Sequence, residues 1–313
     1  MKSKNVLTEE NNEERKVIRL CGDVIFKAVF LRETDVLLKM IYDITDISET
    51  MHFEEVITGY ELEPYKLNGK VNKSDMLLKL GDNYFLNIEL NYQHESNVMY
   101  RKMIQLFRIC GQVTESGMTD KELSLKKVGQ LNFNTFSNSN NKELQRGIYT
   151  DDDGQVINNF LTFWNVDIVK CYDKVYNNIE NVKDLPKVVR WGAILYTDIN
   201  DPNFNYINFI EKVIGDDLLT MEEKEKLINR INETKNTKKI IQEWMVEENN
   251  RMREENILRT AKEDGRMEGI ENKTLEVIKN MLDEGMDYSV ISKVTRKTIE
   301  EIKEIESNIQ SEE

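Results

Sequence analysis

The chain has 313 residues, 39% hydrophobic and 32% charged, with a formal net charge of −14. That is enough for one large domain or two ordinary ones, while so acidic a balance opposes indiscriminate attraction to phosphate backbones. No stretch approaches the about eighteen apolar residues of a membrane-spanning helix, and residues 1–16 are polar and acidic, without the apolar run of a secretory signal.

Residues 1–17, rich in Asn, Glu and Lys, are predicted to be disordered. Ile25, Phe26, Val29, Phe30, Leu37, Leu38 and Ile41 follow helical spacing from Val24 to Tyr42, with a break near Arg32 to Thr34. Phe53 to Pro64 reads as extended. Met76–Leu80 and Tyr84–Asn91 read as the arms of a hairpin around a turn at Gly81 to Asn83. A helix is predicted from Asn97 to Cys110, carrying Met99, Met103, Ile104, Leu106, Phe107 and Ile109 as its apolar residues. Lys127–Phe136 and Phe160–Lys170 look like two further strands, with Gln145–Thr150 a third. Turn chemistry stands at Asn138 to Asn141 and at Asp151 to Gly154. The second of these lacks the alternating ligands and closing Glu of an EF-hand, so it reads as a plain turn.

From Glu180 onward the pattern is helical, with Val188, Val189, Trp191, Ile194 and Leu195 packing one segment. Leu218 to Glu271 interleaves acids and bases, which suits a solvated helical arm or a coiled-coil contact. Its apolar residues Leu227, Ile231, Ile240, Ile241, Trp244 and Met245 keep no heptad, and Gly265 and Gly269 are expected to loosen it. Leu275, Val277, Ile278, Met281 and Leu282 make an apolar face ended by Gly285. Val290, Ile291 and Val294 suggest a short helix, and Thr298 with Glu301 forms a capping box opening a last one. The size is that of a helix-turn-helix. Glu300, Glu301, Glu304 and Glu306, however, put negative charge on the would-be reading helix, which favours a packing or oligomerisation tail. Cys21, Cys110 and Cys171 are widely spaced, outside any Cys-x-x-Cys pattern and accompanied only by His52 and His94. This predicts reduced core thiols in a cytosolic protein and no zinc site.

The candidate chemistry lies in Lys73 to Gln93. Strand alternation puts Asn87, Glu89, Asn91 and Gln93 on one face, and Asp75, Leu77 and Lys79 on one face of the opposite arm. A three-residue turn in simple register brings Asp75 beside Glu89. Burying ionised carboxylates costs several kcal/mol unless they are paired, and a divalent cation shared by two acids is one such pairing. Acids on the solvated face of an ordinary hairpin are the alternative. From Val56 to Arg146 there are twelve Lys and Arg against ten Asp and Glu. The neighbourhood of the acids, with Lys66, Lys70, Lys73 and Lys79, therefore permits a phosphate partner, although an edge strand bearing lysines explains it equally.

The ordered set Asp23-Val-Ile-Phe-Lys-Ala-Val-Phe, Lys73-Ser-Asp75, Asn87-Ile-Glu89-Leu-Asn91 and Tyr100-Arg101 resembles the PD-(D/E)XK nuclease family transposases, also called Rpn-type recombination-promoting nucleases, over about Arg19 to Lys170. The resemblance implies an α/β fold with a mixed sheet: a restriction-endonuclease-like core with flanking helices over 18–215, then a charged helical arm over 216–272 and a small helical unit over 273–313. It implies a cytoplasmic, metal-dependent endonuclease that hydrolyses DNA phosphodiesters in recombination, transposition or mobile-element defence. Mg²⁺, with Mn²⁺ or Ca²⁺ as substitutes, would be held by Asp75 and Glu89. Asp23 would be a further acid of the site, although a helix N-terminal acid paired with Lys27 one turn on explains it equally. Lys27, Lys73, Lys79 and Arg101 would contact DNA. The position two residues after the glutamate, Lys in the superfamily and commonly Gln in this branch, is Asn91, a shorter neutral amide, with Gln93 next on the same face. That departure keeps open a nuclease fold that binds DNA or a protein without cutting, and the acidic C-terminal third keeps open a helical-arm assembly protein, homo-oligomeric through its C-terminal helices.

Overall fold

In the computed structural model, which describes residues 16–59, 61–62, 72–81, 83–92, 98–114, 117–136 and 142–312, the first apolar pattern makes two helices. α1 (Asp23–Phe30) buries Ile25, Phe26, Val29 and Phe30, and α2 (Thr34–Ile44) buries Val36, Leu37, Met40, Ile41 and Ile44. The break between them falls where the sequence placed it. β1 (Phe53–Thr58), the two-residue strands β2 (Glu61–Leu62) and β3 (Asn72–Lys73), and the arms β4 (Met76–Leu80) and β5 (Tyr84–Asn91) follow. Next come α3 (Val98–Val113), α4 (Asp120–Leu125), β6 (Lys127–Asn134), β7 (Leu144–Thr150) and β8 (Val156–Asp167).

Six strands form one sheet in the order β1-β4-β5-β6-β8-β7. β5, β6 and β8 run parallel at its centre, and the β1–β4, β4–β5 and β7–β8 pairs are antiparallel. The parallel strands are covered on both faces, which is why β6 is buried along almost its whole length. On one face, Leu77, Val128 and Leu161 pack with Leu106, Ile109, Cys110 and Val113 of α3. On the other, the Phe26 ring of α1 lies 6.2 Å from that of Phe133.

The strand expected over Phe160 to Lys170 starts earlier, at Val156, and gives way to α5 (Ile168–Asn177) at Asp167. Asp167 is the cause: its carboxylate accepts the backbone N–H of Lys170 at 3.0 Å and so caps the helix. The expected turn at Asn138 to Asn141 lies outside the described residues. Asp151 to Gly154 is a turn, with Asp151 Oδ1 accepting from the N–H groups of Asp153 and Gln155.

A 3-10 turn (Ile179–Asp184), α6 (Lys187–Tyr196), α7 (Tyr206–Leu218) and α8 (Met221–Asn236) complete the first of two compact units, Met1–Trp244. Gly192 of α6 is required by close approach, since a Cβ there would meet the Cys171 side chain at 2.7 Å. α8 is not the solvated arm its charge suggested. Leu227, Ile231 and Thr234, at i, i+4 and i+7, are buried against α1 and α2, and Glu223–Lys39 and Arg230–Glu33 pairs flank them. The stripe is narrow and buried all the same. Cys21, Cys110 and Cys171 are buried thiols, none of them in a disulfide.

α9 (Lys238–Asp283) runs unbroken through Gly265 and Gly269, so these glycines do not interrupt it. It enters the second unit, Met245–Glu313, with α10 (Tyr288–Thr295) and α11 (Ile299–Glu312). Ile278, Ile291 and Ile302 are that unit's core. Gly285, at φ +69°, ends α9 in a Schellman arrangement: its N–H reaches Leu282 O at 2.9 Å, and that of Met286 reaches Met281 O at 3.0 Å. Thr298 and Glu301 form the expected capping box. The chain is thus a mixed α/β protein with a six-stranded mixed sheet and a helical C-terminal region. No helix among the described residues is long and apolar enough to cross a membrane.

Candidate functional site

Leu80 pairs with Tyr84 across the three-residue turn, and the ladder runs back through Leu77 with Asn87 and Met76 with Ile88. One step further sets Asp75 beside Glu89. The backbone N–H of Asp75 approaches Glu89 Oε1 at 3.4 Å, and Asp75 Oδ2 accepts the backbone N–H of Leu90 at 3.0 Å. This is the simple register that the turn length predicts.

Glu89 is 3% exposed, so its charge needs partners. Lys102 Nζ donates to its Oε2 at 2.5 Å, while Gln105 Nε2 at 2.5 Å and Asn87 Nδ2 at 3.0 Å donate to Oε1. The Ser74 hydroxyl in turn donates to Asn87 Oδ1. Charge-assisted bonds of this kind hold a carboxylate in one orientation. Lys102 and Gln105 come from α3 and were missed in the sequence, where only the apolar residues of this helix were named. Of that helix Lys102, Gln105, Leu106, Ile109, Cys110 and Val113 are buried, and Ile104 and Phe107 are exposed. The signal was present. These six positions follow i, i+3, i+4, i+7, i+8 and i+11, one helical face with its two polar members at the end nearest Glu89.

Asp75 is raised from an ordinary 3.8 to about 7, first by burial, then by the charges of Glu89 and Asp23; the Leu90 N–H and the Lys102 ammonium pull the other way. Glu89 and Asp23 therefore both act on Asp75. Asp23 sits in the first turn of α1, and Lys27 Nζ lies 2.8 Å from its Oδ2, the one-turn pair that the spacing allowed. Among the described residues, no group of three or more His, Cys, Asp and Glu could hold a metal ion. Mg²⁺ does not require one, because it keeps most of its waters and takes one or two carboxylates plus substrate phosphates. Two hard oxygen donors, one reluctant to ionise without added positive charge, fit that mode.

The other predicted residues are placed as follows. Asn91 Nδ2 donates sideways to Asn134 Oδ1 on β6 at 3.0 Å. Lys79 pairs with Glu54 at 2.8 Å. Lys73 is in β3 opposite Glu61, its side chain outside the described residues. Arg101 is exposed on α3. Gln93, Lys66 and Lys70 lie outside the described residues. Along the register, Glu89 continues into Asn132 and Asn165 on β6 and β8. Gln130, Asn132 and Asn165 form an amide chain with bonds of 2.9 Å. Glu89, Asn132 and Asn165 lie in the C-terminal halves of the parallel strands, the end of an open α/β sheet where ligands bind.

Fold and site together define a mixed α/β protein with a carboxylate pair and a buried lysine at the carboxyl ends of its central strands. No family model, no curated protein and no solved structure matches the chain.

Proposed function

We propose that the chain is a divalent-cation-dependent DNA endonuclease with a restriction-endonuclease-like core, of the transposase type that its motifs resemble. The observation that carries the reading is Asp75 beside Glu89, with the Lys102 ammonium 2.5 Å from Glu89. Asp75 and Glu89 would hold Mg²⁺ or Mn²⁺. Bound there, the ion acidifies water and offsets negative charge on a phosphate oxygen.

The chain's own groups set the conditions. Asn87 and Gln105 fix Glu89 in orientation. Asp75 must lose its proton before it can act as a ligand, so cation loading weakens as pH falls below about 7. Lys102 supplies, from a helix, the ammonium that this type of site carries two residues after the glutamate. The shorter Asn91 is engaged with Asn134 instead. With Glu89 holding a cation, the Lys102 ammonium now on Glu89 Oε2 would be a donor available to a phosphate oxygen.

The completeness of the Lys102–Glu89 pair favours a second reading, a nuclease fold that binds DNA without cutting. Supercoiled plasmid incubated with Mg²⁺ or Mn²⁺ separates the two. Hydrolysis predicts nicked and linear products that vanish with EDTA and in Glu89→Gln and Lys102→Met. Absence of cutting with DNA retained, or equal cutting by the variants, sinks the enzyme reading.

A further inference from the structure

The inward turn of α3 leaves its outer face unlike the rest of the surface. Tyr100, Ile104 and Phe107, at i, i+4 and i+7, are 71%, 52% and 47% exposed. A Cβ on Gly111, the next position of that stripe, would meet nothing within 4 Å. The helix carries Arg101, Lys102 and Arg108 and no acid, within a chain of net charge −14. Arg108 Nη1 is buried with no hydrogen-bond partner among the described residues. The opposite face of the same helix holds Glu89 through Lys102 and Gln105. The stripe is therefore rigidly tied to the carboxylate pair.

Exposed rings interleaved with cations match a strand whose bases are unpaired. Every base has a face to stack on a ring, and the phosphates of the strand suit a helix that carries cations and no acid. A duplex hides those faces inside its stack. A second copy fits poorly, since a symmetric contact along this stripe would set against each other two helices that each carry cations and no acid. We propose that the outer face of α3 binds unpaired DNA by stacking on Tyr100 and Phe107, delivering a single-stranded or locally opened strand to the site beside Glu89. The substrate class rests on the nuclease reading above; the binding itself does not.

Fluorescence anisotropy in EDTA, with a labelled oligothymidylate and the matching duplex, tests the binding without cleavage. The expected result is tighter binding to the single strand and about tenfold loss for each of Tyr100→Ala and Phe107→Ala. Tyr100→Phe should retain affinity, and unchanged melting temperatures should show that these surface variants fold. Affinity that is equal for both DNAs, or unmoved by loss of the rings, overturns the proposal. So does a mass that light scattering finds doubled and that Ile104→Glu restores to a monomer, because a second copy then owns the face. Plasmid cutting with no single-strand preference would remove this surface and leave the nuclease reading standing. Ring-dependent binding without cutting would do the reverse.

Discussion

Asp75→Asn should make the metal-free protein more stable and should abolish the proposed metal-dependent cutting. A carboxyl raised from 3.8 to about 7 costs about 4 kcal/mol to ionise in the fold relative to the unfolded chain. The sign follows from proton counting. Between about pH 4 and 7 the folded chain keeps a proton on Asp75 that the unfolded chain has released, so this group's contribution to stability falls as pH rises through that window. Below it the contribution is fully present, and above about 7 it is lost. Asparagine carries no such charge, and its side-chain oxygen can still accept the Leu90 N–H. The stability gap between variant and wild type should therefore widen by about 3 kcal/mol from pH 5 to pH 8. Urea denaturation in EDTA at both pH values measures it, and taking the difference removes carboxylates common to both proteins. A gap that does not change with pH, or one that shrinks, refutes the placement of Asp75 among buried negative charge.

Adding Mg²⁺ should raise the wild-type melting temperature at pH 8 and leave Asp75→Asn unmoved, and EDTA should reverse the gain. Lys102→Met strands Glu89 at 3% exposure and should cost about 3–5 kcal/mol by denaturation, most of it recovered in the Lys102→Met/Glu89→Leu double variant. Gly285→Ala forces a side chain into φ +69° and should destabilise the Met245–Glu313 unit by about 1–2 kcal/mol. Ile291→Ala, in a core of three isoleucines, should cost that unit about 2–4 kcal/mol and leave the protected amides of β5 and β6 unchanged in hydrogen exchange.

The hairpin was legible because its information is local: turn length and alternation together set which residue faces which, and Asp75 fell beside Glu89. The break before α2, the Gly285 stop and the Thr298 capping box were legible for the same reason. What hid was tertiary. Hydropathy assigns Ile104 and Phe107 to a core and Lys102 to water, yet a buried glutamate reverses that preference by needing a cation and an amide. The docking of α8 hid likewise, since four apolar residues in sixteen, only Leu227 and Ile231 of them buried, look like a solvated helix until α1 and α2 are set against it. The end of β8 was misjudged because Asp167 reads equally as a strand residue and a cap. Asn91 looked like the weak point of the site, and only the path of α3 shows that a lysine, Lys102, stands against Glu89.

Crystals soaked in Mn²⁺ and measured at the manganese absorption edge test the carboxylate pair most directly. The prediction is one anomalous peak within about 2.0–2.6 Å of oxygens from Asp75 and Glu89, with Lys102 Nζ moved off Glu89, and no peak in Asp75→Asn. Manganese bound elsewhere, or Lys102 still seated on Glu89 at saturating metal, would contradict it.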